Sequence, residues 1–81
     1  MLQTAQIRAA RALLGWNQAE LAKTAGVSIA TIRRIEAQKG PVGGYVSTLV
    51  RIQTAFEDAG IRFLDSDAGG GIGVRLVGPK P

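Results

Sequence analysis

The chain has 81 residues, enough for one domain but close to the size at which a single core is only marginally sufficient. It has no cysteine and no histidine, which excludes disulfides and thiolate metal sites and removes the usual general base and the commonest metal ligand. The formal charge is +4, and all of the excess lies in residues 1–40, with six basic against two acidic residues; residues 41–81 carry four of each.

A one-sided basic surface favours a polyanionic partner. The apolar runs are too short to span a membrane. In MLQTAQIRAARALLGW the arginines lie inside an amphipathic pattern, not ahead of an apolar block, so no signal peptide is read. Cytoplasmic location and no membrane association are expected. Without His or Cys, catalysis would rest on carboxylates, and no acidic pair is placed for it. The expectation is therefore no enzyme, no cofactor and no metal.

In chain order, Thr4 is the expected N-cap of a first helix. Ile7, Ala10 and Leu14 recur at helical spacing, and Gly15 ends it in the left-handed conformation. In WNQAEL, Asn17 and Glu20 form a capping box, with Trp16 and Leu21 as a hydrophobic staple. This second helix runs to Ala25 and ends at Gly26. Ser28 caps a third helix, with Val27 and Ile32 placed as its staple. Only Gly26, Val27 and Ser28 separate the two helices, so they meet at a steep angle. Ile32 and Ile35 face inward; Ile29, Ala30, Thr31, Arg33 and Arg34 face outward. KGPVGGY (39–45) is a loop by its glycine and proline content. A fourth helix follows over 47–59, with Leu49, Ile52, Phe56 and Ala59 as its apolar stripe and Gly60 as its stop. The period then changes: IRFL and GVRLV alternate, separated by DSDAGGG, and read as a β-hairpin or strand pair. Residues 79–81 read as a frayed tail.

The segment NQAELAKTAGVSIATIRRIEA resembles the helix-turn-helix of the lambdoid phage repressor and Cro family, the XRE-like regulators, with a match extending over residues 4–56. Gln18, Leu21, Ala22, Gly26, Ile32 and Glu36 carry the resemblance. It implies a mainly α fold, a lambda-repressor-like bundle of about four helices, here with the short C-terminal strand pair. Residues 1–60 would form the DNA-binding domain and 61–78 a strand element.

The resemblance also implies roles. The start of the third helix enters the major groove of double-stranded DNA, which assigns base readout to Ser28, Ile29, Ala30, Arg33 and Arg34. Arg34 is placed for a bidentate contact to a guanine, and Arg33 for a base edge or a phosphate. Family members often start this helix with glutamines; here Ile29 and Ala30 can meet thymine methyls, or Ile29 can pack the turn instead. Gln18 matches the family's phosphate-binding glutamine at a helix N-terminus. Asn17, Thr31 and Lys39 are further phosphate candidates, as is Arg8. Arg11 and Glu36 match an inter-helix salt bridge, although Arg11 could also meet phosphate. Tyr45 either donates a hydrogen bond to the DNA backbone or covers the core.

AGGGIG (68–73) is not a phosphate-cradling loop. Such a fingerprint needs a strand before it and a helix after it, and here a second strand follows. Two short strands are marginal alone, and Ile61 and Phe63, with Ile72, Val74 and Leu76, form an apolar face. That face is expected to be covered by a second copy. Phe56, Ile61, Phe63, Ile72, Val74 and Leu76 would then form a two-fold interface serving two DNA half-sites. The function expected is a homodimeric repressor or autoregulator. The alternative is an antitoxin or protein-interaction module whose C-terminal strands bind a partner protein.

Overall fold

The computed structural model describes residues 2–78. Four helices are followed by two strands: α1 Thr4–Leu14, α2 Gln18–Ala25, α3 Ile29–Glu36, α4 Val46–Asp58, β1 Ile61–Leu64 and β2 Gly73–Leu76. The three-residue turn between α2 and α3 requires a left-handed residue, and Gly26 supplies it at φ 72°. Gly15 does the same after α1 at φ 68°. A β-carbon at either φ would strain against its own backbone.

Each helix buries one stripe. Ile7 and Ala10 from α1, Leu21, Ala22 and Ala25 from α2, Ile32 and Ile35 from α3, and Ile52, Ala55 and Phe56 from α4 form one core with Val42 and Ile61. Trp16 stacks on Phe56 with ring centroids 5.7 Å apart, and Phe63 meets Phe56 edge-on at 5.9 Å. Phe56 thus joins the helical bundle to the hairpin through one chain of aromatic rings.

The start of α1 differs from the expectation. Thr4 is not the cap but the first helical residue, and it is buried, with its hydroxyl directed at the Ile35 carbonyl at 3.5 Å. Gln3 is the cap, and its N–H is satisfied by the Gln6 side-chain oxygen at 2.9 Å. Long-range pairing explains the shift. Thr4 N–H bonds the Gly40 carbonyl and Val42 N–H bonds the Leu2 carbonyl, each at 3.0 Å. The loop after α3 therefore pins the strand entering α1 and draws Thr4 inside. Helix α4 starts one residue earlier than expected, with Tyr45 as its cap and Asp58 as its last residue.

The two strands form an antiparallel hairpin in the register Ile61↔Leu76, Arg62↔Arg75, Phe63↔Val74, Leu64↔Gly73. Asp67 and Gly70 close its tip, with the Asp67 carboxylate accepting from Gly69 N–H at 2.7 Å. The glycines thus serve a turn, as the absence of a following helix required.

What covers the hairpin corrects a second expectation. Its apolar face lies on its own protomer, with β1 against α4 and β2 against α1. Phe56 and Ile61 are fully buried in the protomer core, and Phe63 and Val74 are half-buried against it. Phe56 and Ile61 are therefore not available to a second copy. An alternating strand face requires a cover, and the groove between α1 and α4 supplies it. Only Ile72 and Leu76 of the expected interface remain exposed.

Candidate nucleic-acid interface

The outer surface of the helix pair is built from two N-termini. At α2, Asn17 closes its capping box, its side-chain oxygen accepting from Glu20 N–H at 2.8 Å while its own N–H donates to Glu20 at 3.1 Å. That oxygen is therefore occupied by the helix, and of the Asn17 side chain only the amide nitrogen is left to meet a phosphate. At α3, the Ser28 hydroxyl accepts from Thr31 N–H at 3.1 Å and is hydrogen-bonded to the Thr31 hydroxyl at 2.8 Å. The two hydroxyls rigidify the first turn of α3 at the point where the chain leaves the glycine turn.

Along α3, Ala30, Arg33 and Arg34 are exposed, Thr31 is half-buried, and Ile32, Ile35 and Glu36 are buried. Ile29, expected to face outward, is half-buried and packs on the core. Neither Arg33 nor Arg34 has an ion-pair partner among the described residues. Lys39, in the loop that follows, is likewise exposed.

The inner side of α3 is clamped through Glu36. Arg11 reaches its carboxylate with two nitrogens, Nε to Oε2 at 2.7 Å and Nη2 to Oε1 at 2.6 Å. This is a bidentate geometry with side-chain exposures of only 20% for Arg11 and 5% for Glu36. The hydrogen bond to Glu36 raises the Arg11 pKa above its ordinary value, with burial opposing and the carboxylate charge assisting. The remaining Arg11 nitrogen, Nη1, donates to the Trp16 carbonyl at 3.1 Å. One guanidinium therefore ties together α1, the turn before α2 and the end of α3. Gln18 Nε2 adds a longer contact to Glu36 at 3.4 Å. The amide expected to grip phosphate is thus held beside the same carboxylate, at the first turn of α2. Arg8 is exposed, with one nitrogen on the Glu36 carbonyl at 3.2 Å, so it caps the C-terminal end of α3.

Two framework residues had no sequence signature. Gln6 donates from Nε2 to the carbonyls of both Leu64 and Gly73, at 3.2 and 3.0 Å, and anchors the hairpin to α1. Arg51 of α4 donates to the Gly26 carbonyl at 3.2 Å and braces the glycine turn from behind. Each is a polar residue whose partner is distant in sequence, so no local pattern marks it. Tyr45 is 80% exposed and does not cover the core.

The result is a short capped helix, held from behind by a buried ion pair, with two guanidiniums facing outward. Residues 7–43 match the helix-turn-helix family model, which supports a DNA-binding regulator of the XRE, lambda-repressor-like type. The match runs from α1 through the loop after α3; α4 and the hairpin lie outside it. No curated protein matches the chain. Among the described residues, no helix is long and apolar enough to cross a membrane.

Proposed function

We propose that this chain is a sequence-specific transcriptional repressor that binds two half-sites as a homodimer in the cytoplasm and controls its own gene. The observation that carries the reading is the pairing of an exposed Arg33–Arg34 edge with a rear face immobilised by Arg11 and Glu36. Insertion of α3 into the major groove puts Arg34 against guanine O6 and N7, a contact that discriminates by about 1–3 kcal/mol. Arg33 takes a neighbouring base edge or a phosphate. Ser28 and Ala30 approach the bases at the helix start, while Ile29 contributes by shaping the turn. Gln18, Asn17 Nδ2, Thr31 and Lys39 meet the phosphates and set the register.

Paired half-sites require the two α3 helices to lie about one helical turn, roughly 34 Å, apart, a spacing compatible with two copies of a molecule measuring 36 × 30 × 21 Å. With part of the hairpin face covered internally, the second copy is assigned to the exposed apolar residues Tyr45, Val46 and Val50 at the start of α4, which are 80%, 75% and 54% exposed. Binding measured on the DNA upstream of the gene, against random duplex over a salt series, tests the reading. A steep loss of affinity with salt and a preference for the upstream site are expected.

A second reading, a protein-interaction or antitoxin-like module whose C-terminal strands hold a partner protein, is favoured by one observation. Ile72, Leu76 and Val77 stay exposed at the hairpin, the last two 48% and 58%.

A further inference from the structure

Arg62 and Arg75 face each other directly across the hairpin, and both are exposed. Side chains of such a pair stand about 5 Å apart, and like charges there are destabilising. Nothing among the described residues compensates, since neither guanidinium makes an ion pair or a hydrogen bond. Glu57 shares a shallow pocket with Arg62 but is hydrogen-bonded to Gln53 and lies beyond ion-pair distance. The hairpin is also a complete two-stranded sheet, so each strand has one side without a strand neighbour. No backbone group of Val74, Arg75 or Leu76 bonds outside the ladder. Beside β2, a groove of about 170 Å³ runs along α1, lined by Ala5, Ala9, Ile72 and Val74 among others.

We propose that the β2 edge accepts an extended acidic segment of a different protein as a third strand, with carboxylates over Arg62 and Arg75 and alternate apolar side chains in the groove against α1. The proposal deepens the second reading above and does not depend on DNA binding. Strand addition uses main-chain hydrogen bonds for affinity and alternate side chains for specificity. The two faces of β2 ask for opposite chemistry, acidic on the arginine side and apolar on the side of Ile72 and Leu76.

Charge and position select this occupant. A second copy pairing β2 to β2 would line up four guanidiniums on one sheet face, the arrangement by which charged edges prevent self-association. The duplex read by α3 is on the wrong side. On α1, Thr4, Arg8 and Arg11 reach the end of α3, whereas Gln6 bonds the hairpin and Ala5 and Ala9 line the groove. These two sets lie about 140° apart around the helix.

The test is nuclear magnetic resonance titration of the whole, isotopically labelled chain with three probes. These are a synthetic peptide of alternating valine and glutamate, its counterpart with lysine for glutamate, and a short random-sequence duplex. The acidic peptide should perturb the amides of residues 72–77 and bind about tenfold or more tighter than the basic one at low ionic strength. R62E/R75E should invert that preference with the melting temperature retained; should that variant unfold, R62Q/R75Q must abolish the preference. The proposal is overturned if the two peptides bind alike, if β2 amides do not respond, or if the folded variant keeps the preference. It is equally overturned if duplex DNA perturbs β2 and loses affinity in the variant, or if β2 signals shift with protein concentration alone, which would make a second copy the occupant. Failure of the DNA-binding reading appears separately, in the response of α3 to the duplex.

Discussion

Glu36→Gln is the sharpest perturbation of the framework, because it removes one charge and almost no volume. Removing one partner of a buried ion pair costs about 3–5 kcal/mol when the remaining charge stays dry. Arg11 is one-fifth exposed and keeps its bond to the Trp16 carbonyl, and glutamine retains one acceptor for it. The cost therefore falls to about 2–3 kcal/mol. A domain of this length has a total stability of about 4–12 kcal/mol, and each kcal/mol moves its midpoint by about 4–8 °C. E36Q should then melt about 10–20 °C lower, measured by circular dichroism with urea unfolding as a cross-check. The double variant R11M/E36L, which removes both charges and keeps apolar bulk, should recover most of that loss. Below its melting point E36Q should still be helical but discriminate poorly between DNA sequences, since α3 has lost its rear anchor. A midpoint within about 3 °C of the parent, or a double variant as unstable as the single one, would refute the view that this pair acts as a clamp.

Further outcomes follow from the same geometry. R34A should bind random duplex nearly as the parent does but lose about 1–3 kcal/mol of preference for the true site, whereas Q18A should weaken both equally in parallel binding titrations. Gly26→Ala meets open space but a φ of 72°, so its cost, about 1–2 kcal/mol by denaturant titration, is conformational alone. Gln6→Leu strips the amide from two carbonyls and should raise hydrogen exchange across 61–64 and 73–76 with little change in α2 and α3. Arg11 has a raised folded pKa, so its contribution is fully present below the unfolded value and is lost only as pH rises through the still higher folded one. The stability deficit of R11M should therefore be the same at about pH 6 and about pH 9.

The elements legible in the sequence are those written in local chemistry. Asn17 with Glu20, Ser28 ahead of a helical stripe, and glycines at 15 and 26 each act within a few residues, and all four appear as read. The hairpin was legible for the same reason, through alternation and a glycine-rich turn. Arg11 and Glu36 were legible only through family resemblance, since 25 residues separate them. What stayed hidden was decided by long-range packing. The loop at 40–42 moved the first cap from Thr4 to Gln3. The α1–α4 groove took the hairpin face that alternation alone left without a cover. Sequence parity shows that such a face must be buried, but not against which surface. Gln6 and Arg51 escaped notice because polar residues on amphipathic helices are normally solvated.

The reading rests on α3 lying in the major groove, and methylation interference at guanine N7 on a selected binding site tests that most directly. Two clusters of blocking guanines, one helical turn apart, are predicted for the parent chain, with those clusters fading for R34A. Binding indifferent to major-groove methylation, or an interference pattern identical in parent and R34A, would contradict it.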